Sequence, residues 1–310
     1  MTREEGGGAL RKLADDVMVL GNGFFNYYVV GKKEAAVVEC GTMAGAAIFA
    51  RQWEELADKP RIKYLVAPHS HFDHVCGIPL LKQLFPEARV VASATADKIM
   101  SREKIVKAMF ANDREVSRAY VRAGFLKEEP KPQVETLDVE LVVDEGDALE
   151  IEPGVRLEIL EAPGHTPCSI ALYYEKEGMM FTSDAAGYPV DEDLISPVFF
   201  QDYDLYVETL QRLMTYPTQA VGVAHGVIPE GQKVEEFYRR TLEATEQAFA
   251  FIADRLNQGA SDDELAQELY HRFIRGGMAY YSRDTMLSSE MLLIRSVRRK
   301  LQGTDGKGGS

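Results

Sequence analysis

One six-residue segment, His69-Ser-His-Phe-Asp-His74, carries three histidines and an aspartate. It directly follows the apolar run Ile62–Ala67, which predicts a strand. Imidazole and carboxylate groups are common ligands of zinc and related divalent cations, and core packing has no use for so many titratable groups at a strand end. The segment therefore predicts a metal site. Its first two histidines can converge on one ion, while Asp73 and the third histidine can bind a second ion.

Three more potential ligands also follow predicted strands. They are His165, Asp184 and His225, each of which comes shortly after an apolar run. A single histidine or aspartate at a strand end is weak evidence of a site. Together with the segment at 69–74, however, these residues bring the set to five histidines and two aspartates, which suffices for two metal ions. The sixth histidine, His271, is predicted to lie on the surface.

The elements that must position these residues are short strands alternating with helices. Runs of β-branched and aromatic residues predict strands at 17–20, 25–30, 35–38, 62–67, 89–92, 141–143, 155–160, 170–174, 179–182 and 219–223. Helical patterns predict helices at about 43–57, 78–85, 95–124 and 203–214. The acidic stretch between 140 and 152 is interpreted as a solvated face.

The character of the sequence changes beyond residue 231. Apolar residues recur there at spacings of three and four, which predicts a long helix ending near Gly259. The capping box Ser261-Asp-Asp-Glu264 predicts the start of another helix, and a last helix is expected at 288–301. We therefore predict a domain at 13–231 and a helical extension at 232–302 that caps the active site, with flexible ends at 1–12 and 303–310.

The amino-acid composition limits which binding partners and which cellular compartment we expect. The chain of 310 residues has 49 acidic and 35 basic residues, a formal net charge of −14. This balance disfavours nucleic acid and anionic membranes as partners, since phosphate binding draws on clusters of Lys and Arg. No apolar stretch approaches the roughly 20 residues of a membrane span, and the polar start lacks the apolar core of a secretory signal. Three cysteines are too few for a disulfide framework, so we expect a cytoplasmic protein.

The order of the motifs resembles that of the metallo-β-lactamase superfamily. HxHxDH at 69–74 is followed by Gly164-His165, Ser183-Asp184 and His225-Gly226, and the resemblance spans roughly residues 16–230. It implies an α/β fold, the αββα sandwich with the metal site along one edge of two packed sheets, here with a C-terminal helical extension. It also implies the ligands of each ion: His69, His71 and His165 for the first, Asp73, His74 and His225 for the second, and Asp184 for both.

The same resemblance implies a hydrolase. Two divalent cations lower the pKa of a bridging water toward about 7, so that a hydroxide can attack a substrate carbonyl at neutral pH. Asp73 and Asp184 are the predicted catalytic carboxylates. The ligands suit two ions of zinc, iron or manganese and do not identify the metal. Superfamily substrates include β-lactams, lactones, thioesters and phosphodiesters.

The helical C-terminal region narrows the resemblance to a subgroup. It is similar to the C-terminal region of bacterial thioesterases that act on 2-aminobenzoylacetyl-CoA. Three local features also resemble this subgroup: Glu39, where Asp is commoner, the acidic loop after Asp184, and the segment 197–200 ahead of a helix. The subgroup implies hydrolysis of an acyl thioester or related ester. Two alternatives stay open. One is a lactonase with the same metal site, and the other is a regulatory or binding protein that acts through its C-terminal helices, which could also form a homodimer.

Aromatic residues supply the predicted substrate pocket, a cleft closed by the C-terminal helices. They are Tyr188, Phe199, Phe200, Tyr203, Tyr280 and Tyr281. The alternative is that these rings simply pack the helices onto the sandwich. Cys76 and Cys168 follow ligand histidines and are expected to be small buried residues rather than extra ligands. The expected partner is a small-molecule ester, thioester or lactone, with no nucleic acid and no membrane.

Overall fold

The structure, a computed structural model, describes residues 11–191 and 193–305. Within these ranges two β-sheets pack face to face, helices pack against them, and the C-terminal region is helical. The contact between the sheets is aromatic: the rings of Tyr28 and Phe181, one from each sheet, meet edge to face with centroids 5.1 Å apart. The Tyr28 hydroxyl also donates a 2.6 Å hydrogen bond to the carbonyl of Val223. Neighbouring rings in this geometry stabilise the core beyond the area that they bury.

The first sheet has the same order in space as in sequence. Its strands are β1 Arg11–Ala14, β2 Val17–Gly21, β3 Asn26–Val30, β4 Glu34–Val38, β5 Arg61–Val66, β6 Arg89–Ser93 and β7 Leu141–Val143. β1 to β4 pair antiparallel, whereas β4 to β7 pair parallel. The parallel strands β4 to β6 are nearly continuous apolar runs because both of their faces are covered.

The second sheet is mainly antiparallel. The remaining strands are β8 Ala148–Glu152, β9 Val155–Glu161, β10 Ile170–Tyr174, β11 Met179–Phe181, β12 Tyr188–Pro189, β13 Ile195–Ser196 and β14 Ala220–Gly222. The second sheet runs in the order β14-β11-β10-β9-β8, with β11 and β14 parallel, and β12 pairs with β13 separately. Strands of both sheets therefore end where the predicted ligands begin.

Helices connect and cover the sheets. They are α1 Met43–Glu55, α2 Phe72–Val75, α3 Ile78–Leu84, α4 Ala94–Met100, α5 Glu103–Arg122, α6 Tyr203–Leu213, α7 Lys233–Asn257, α8 Asp262–Phe273 and α9 Arg283–Asp305. Side-chain caps fix several starts: Thr42 accepts from the Gly45 amide before α1, and Ser261 and Glu264 form the predicted capping box of α8. Short 3₁₀ turns at 183–186 and 276–280 lie beside the predicted site.

In two segments the secondary structure differs from the prediction. The helix predicted at 95–124 is two helices, because the chain breaks at Ser101 and Arg102 between α4 and α5. The acidic side chains between 140 and 152 are exposed or half-buried, which agrees with a solvated face, but the stretch also contains the strand β8, which was not predicted. In β8, Leu149 and Ile151 are buried while Glu150 between them is exposed, so charged residues occupy only one side of the strand. The many acidic residues around β8 made its alternation of apolar and charged residues hard to recognise in the sequence.

Both predicted flexible ends, 1–12 and 303–310, overlap with elements that the structure describes. β1 begins at Arg11, inside the predicted end 1–12, and α9 extends to Asp305, inside the predicted end 303–310. The rest of both ends lies outside the described residues. Among the residues that are described, none of the helices combines the length and the hydrophobicity that a membrane crossing requires. The division into domains at 13–231 and 232–302 stays a prediction.

Candidate metal centre

Both sheets deliver side chains to one place. His69 follows β5 of the first sheet, while His165, Asp184 and His225 follow β9, β11 and β14 of the second sheet. The predicted ligand atoms fall into two groups, and within each group the atoms lie within 4.8 Å of one another. The first group contains His69, His71, His165 and Asp184, and the second contains Asp73, His74 and His225. All seven predicted ligands are thus close together.

The first group is centred on His165. Its Nε2 atom lies 3.3 Å from Nε2 of His69 and 3.0 Å from Nδ1 of His71. His69 and His165 are buried, whereas His71 is half-buried and borders open space. Three imidazole nitrogens therefore face a common point.

The second group consists of two imidazoles and one carboxylate. Nε2 of His74 lies 3.4 Å from Nε2 of His225. Oδ2 of Asp73 lies 3.6 Å from Nε2 of His74 and 3.8 Å from Nε2 of His225. Asp73 and His74 are consecutive residues of the short helix α2, Phe72–Val75, which follows directly after His71.

Asp184 lies between the two groups. Its Oδ2 atom is 3.5 Å from Nε2 of His165 in the first group and 3.3 Å from Nε2 of His74 in the second. Its other oxygen, Oδ1, is 3.7 Å from Nε2 of His225 and has no hydrogen-bond partner among the described residues. One carboxylate therefore reaches both groups, and one of its buried oxygens is left without a hydrogen-bond donor.

The outer nitrogens of three histidines are held by hydrogen-bond acceptors. Nδ1 of His165 donates to the Val198 carbonyl and Nδ1 of His225 to the Phe24 carbonyl, both at 2.7 Å. Nδ1 of His74 lies 2.9 Å from Oε2 of Glu39. A carbonyl can only accept, so the proton is on Nδ1 and the lone pair on Nε2 points into the site. This outer-sphere support is typical of metal-binding histidines.

The spacing of the donors fits divalent metal ions. A tetrahedral ion with metal–nitrogen bonds of about 2.0–2.1 Å holds its ligand atoms about 3.3–3.4 Å apart. The nitrogen pairs of the two groups lie between 3.0 and 3.4 Å apart. Lone pairs that face one another at this distance repel unless a cation lies between them. The donor set, the orientation of the rings and the unpartnered oxygen of Asp184 all agree with bound cations.

Burial and neighbouring charges set the protonation of the first group. Burial lowers the pKa of His165, and burial together with the surrounding imidazoles lowers the pKa of His69. The same causes bring the pKa of His71 to about 3. These imidazoles are therefore neutral at physiological pH, which is the form that binds a metal.

The second group carries an excess of negative charge. Burial raises the pKa of Asp73 and Asp184, but the adjacent His74 and His225 outweigh it and hold both pKa values below their usual range. Burial lowers the pKa of His74, yet the carboxylates of Asp184, Glu39 and Asp73 raise it well above its ordinary value. Three buried carboxylates around these histidines create a place where added positive charge is favourable.

A cavity of about 960 Å³ opens directly onto the centre. His71, Asp73 and Asp184 form its floor, and its walls come from α5, the 3₁₀ turn at 276–280 and α9. A second cavity of about 550 Å³ borders His71 and His165 from the side of α6. The centre is thus accessible to a small molecule, and the C-terminal helices form part of the enclosure.

Three of the six predicted pocket aromatics line the larger cavity: Tyr188, Phe200 and Tyr281. The Tyr188 ring stacks on His225 with centroids 4.3 Å apart, and the Phe200 ring lies 5.1 Å from that of His165. The hydroxyl of Tyr281 donates a hydrogen bond to Asp73. These rings therefore contact the predicted ligands themselves.

The other three aromatics have packing roles. Phe199 is fully buried between Tyr203 and Tyr206, and Tyr203 packs on Phe249 of α7 with ring centroids 4.4 Å apart. Tyr280 packs in a cluster with Phe24, Tyr120 and Phe125. For Phe199, Tyr203 and Tyr280, the alternative that the rings pack helices onto the sandwich describes their contacts.

The remaining singled-out residues lie where the sequence suggested. Cys76 and Cys168 are buried free thiols, and the Cys168 sulfur lies 3.2 Å from the hydroxyls of Ser70 and Thr166. His271 is exposed on α8, which confirms its predicted surface position.

Two neighbours of the ligands were not predicted as parts of the site. Glu39 contacts His74, and the Ser183 hydroxyl lies 3.4 Å from Nδ1 of both His69 and His74. Both residues have positive φ angles, 80° for Glu39 and 49° for Ser183. The sequence offers one indication that Glu39 belongs to the site. Glu39 directly follows β4, and β4 pairs with β5, the strand that precedes His69.

The family model of the Metallo-beta-lactamase superfamily matches residues 20–225, two thirds of the chain. The chain belongs to the metallo-β-lactamase superfamily. This assignment confirms the family resemblance and the predicted fold class. The matched range begins within β2 and ends at His225, so it contains all seven predicted ligands and stops before α7.

Relatives within the superfamily differ in their named activities. The chain is 25% identical over 224 residues to the Metallo-beta-lactamase fold-containing protein ST1585 of Sulfurisphaera tokodaii, covering 71% of this chain and 79% of that protein. It is 23% identical to the Linear primary-alkylsulfatase of a Pseudomonas species, covering 70% of this chain but only 44% of the enzyme. It is 28% identical to Acyl-coenzyme A thioesterase MBLAC2 of Gallus gallus, covering 55% and 56%. These relatives support the general prediction of a metal-binding hydrolase, while the thioesterase subgroup stays a prediction.

One solved structure extends the likeness through the C-terminal helices. A Beta-lactamase domain protein from Burkholderia ambifaria superposes with a TM-score of 0.66 over 98% of this chain and 91% of that chain, at 15% identity. At this identity the likeness concerns the fold alone. It includes the superfamily sandwich together with the helical extension α7 to α9.

Proposed function

We propose that this superfamily member is a hydrolase that holds two divalent metal ions and cleaves an acyl thioester or a related ester. The observation that carries the proposal is the position of Asp184, whose carboxylate reaches both groups of donors. Two sets of donors joined by one carboxylate are the arrangement of a dinuclear centre. The accessible cavity beside them gives a substrate room to approach.

The donor atoms divide between two ions. Nitrogens of His69, His71 and His165 would hold the first, and Asp73, His74 and His225 would hold the second, with Asp184 shared. Zinc, iron and manganese all suit such ligands. Cations bound there lower the pKa of water toward about 7 and polarise a carbonyl or leaving-group atom.

The chain's own residues would orient the substrate and limit its exposure to water. Phe200 and Tyr188 place apolar ring faces against His165 and His225, so the reacting end of a substrate would meet walls that exclude bulk water. Tyr281 would hold the carboxylate of Asp73 in place. An enclosed site of this kind strengthens the electrostatic stabilisation of a negatively charged transition state.

Two considerations favour a thioester among the superfamily's substrates. One relative bears the name of an acyl-CoA thioesterase. A cavity of about 960 Å³ is also large enough for an extended acyl chain, since small-molecule sites usually measure about 300–1,000 Å³. A lactone would use the same centre, so the substrate screen must contain both classes.

The test combines elemental analysis of the purified chain with a hydrolysis screen of acyl thioesters, lactones and alkyl sulfates. We expect two metal ions per chain and turnover of thioesters. Turnover of lactones alone would favour the lactonase alternative. If the chain took up no metal on reconstitution, the proposed metal centre and the hydrolase mechanism that depends on it would both be contradicted.

A matched pair of variants separates the centre from general effects. Asp184→Asn should lower the metal content and reduce turnover about a thousandfold, since several kcal/mol of transition-state stabilisation are lost and each 1.4 kcal/mol or so is a factor of ten. His271→Ala alters an exposed histidine on α8 and should leave both quantities unchanged. Equal behaviour of the two variants would count against the assignment of the centre.

A further inference from the structure

Helix α9 carries a carboxyl on its buried face. Glu290 is only 3% exposed and lies one turn from Met286 and one turn from Ile294, both of which are buried. At this position an amphipathic helix normally places an apolar residue. Glu290 therefore stands where packing alone would favour leucine or methionine.

One carboxyl oxygen of Glu290 lacks a hydrogen-bond partner in the part of the chain that the structure describes. Its Oε2 atom is buried and makes no hydrogen bond to any described residue. Burial raises the pKa of this carboxyl to about 8. Burying a carboxyl without a partner is unfavourable, and an unsatisfied group of this kind requires a reason outside the folding of the chain.

The side chain borders the cavity above the candidate metal centre. Glu290 lines the same space as Asp73 and Asp184, on the wall that α9 forms. A ligand long enough to extend from the metal centre to α9 would bring its other end to Glu290. The missing partner can therefore come from the ligand.

The charge of the cavity indicates which ligand would suit. Its acidic lining residues outnumber the basic ones: Asp73, Glu115, Asp184, Asp284 and Glu290 against Arg295. Asp73 and Asp184 face the candidate ions and Glu115 pairs with Arg118, which leaves Asp284 and Glu290 against Arg295 on the remaining walls. This surplus of carboxyl groups favours a cationic group over an anionic one.

We propose that Glu290 forms a subsite for a cationic amine on the acyl part of the substrate, at the end of the cavity remote from the reacting carbonyl. The inference rests on the proposed function and specifies its substrate class as amino-substituted acyl thioesters or esters. An ammonium group donates up to three hydrogen bonds and would satisfy the buried oxygen of Glu290. A site built for such a bond rejects a ligand that lacks the group, because the buried carboxyl is then left unpaired.

Binding of product carboxylates tests the subsite without relying on turnover. The full chain, reconstituted with zinc, is titrated by calorimetry with ω-amino carboxylates and with unsubstituted carboxylates of matched length, from four to eight carbons. The carboxylate end represents the product at the metal centre. At one chain length we expect the amino compound to bind roughly ten- to a hundredfold more tightly, the range of a charge-assisted hydrogen bond of about 1.5–3 kcal/mol.

Two variants localise the effect. Glu290→Gln keeps the size of the side chain and should abolish the preference for the amino series. Glu115→Gln removes an exposed carboxyl from the wall formed by α5 and should keep most of the preference. Loss of the preference in both variants would overturn the subsite, since diffuse charge rather than Glu290 would then select the amine.

The remaining outcomes are equally decisive. Equal binding of the two series by the wild-type chain would overturn the subsite while leaving the metal centre intact. Binding of neither series would overturn the subsite together with the proposed function. Glu290→Met provides a check on folding: replacing an unpartnered carboxyl with an apolar side chain should raise the melting temperature by about 2–4 °C. A marked fall would show that the protein itself satisfies Glu290, and would also overturn the proposal.

Discussion

The hydroxyl of Tyr281 donates a 2.7 Å hydrogen bond to Oδ2 of Asp73. This is the same oxygen that faces the Nε2 atoms of His74 and His225. Tyr281 directly follows the 3₁₀ turn at 276–280, so the bond ties the C-terminal helical region to the second group of donors. The extension therefore supports the candidate centre as well as enclosing its cavity.

We expect Tyr281→Phe to weaken binding of the second metal ion about ten- to a hundredfold, the usual cost of losing an outer-sphere partner of a ligand. The ring should keep its packing on Phe72, so the fold should be maintained. Competition with a chelator would measure the two affinities separately. Tyr280→Phe is the control, because Tyr280 packs in an aromatic cluster. This variant should bind both ions as tightly as the wild-type protein does. Equal loss in the two variants would show that the hydrogen bond is unimportant.

Glu39→Gln should also lower metal affinity, through His74. The Glu39 carboxylate lies 2.9 Å from Nδ1 of His74 and raises the pKa of that ring. A neutral amide of similar shape would leave Nε2 less basic, and we expect a loss of about tenfold or more. Metal titration against Glu54→Gln, an exposed acid on α1, would measure it. An unchanged affinity would contradict the orienting role of Glu39.

The sequence predicted the candidate ligands because each lies within a few residues of a strand end. It could not reveal the Glu39–His74 and Tyr281–Asp73 contacts, which join residues 35 and 208 positions apart. Such contacts depend on which strands and helices become neighbours in space. Local patterns show that a polar residue follows a strand, and the sheet order shows what that residue contacts.

Side-chain direction limited the prediction of the pocket in the same way. Phe199 and Phe200 are adjacent in the chain, yet their rings pack against different groups. Phe199 packs on Tyr203 and Tyr206 in the core, whereas Phe200 lies against His165 at the cavity. The sequence therefore shows that an aromatic residue lies near a motif, but it does not show whether the ring points into the core or into the cavity.

Stability should fall with rising pH because of Asp113. This buried carboxyl accepts a 3.0 Å hydrogen bond from the Met43 amide, and burial raises its pKa to about 7 from an ordinary value of 3.8. Below the unfolded-state pKa both states are protonated, so its contribution is intact. It is lost as the pH rises from about 4 to 7, because the unfolded state releases a proton that the folded state retains.

Asp113→Asn removes this titration while keeping a hydrogen-bond acceptor for Met43. The free energy of unfolding of the variant, relative to wild type, should therefore increase between pH 4 and 7, by at most about 1.4 kcal/mol per pH unit. Urea denaturation at several pH values would measure the difference. Parallel pH profiles of the two proteins would show that the carboxyl does not take up a proton on folding.

Gly164 has to remain a glycine because of both its backbone and its surroundings. Its φ angle is +117°, and a Cβ atom there would lie 2.3 Å from the backbone nitrogen of Tyr206 at the start of α6. The clash cannot be relieved by a side-chain rotation, so Gly164→Ala must displace either α6 or His165. We expect a loss of stability of about 1–3 kcal/mol together with weaker binding of the first metal ion, because His165 is the centre of that group.

Gly124→Ala separates the two causes of that loss. Gly124 also has a positive φ, +83°, but nothing lies within 4 Å of the position of a Cβ atom. Its substitution should therefore cost only the backbone strain, about 1 kcal/mol, and leave metal binding unchanged. Chemical denaturation and metal titration of both variants would test this. If both lost the same stability and bound metal equally well, close packing against Tyr206 would not be what positions His165.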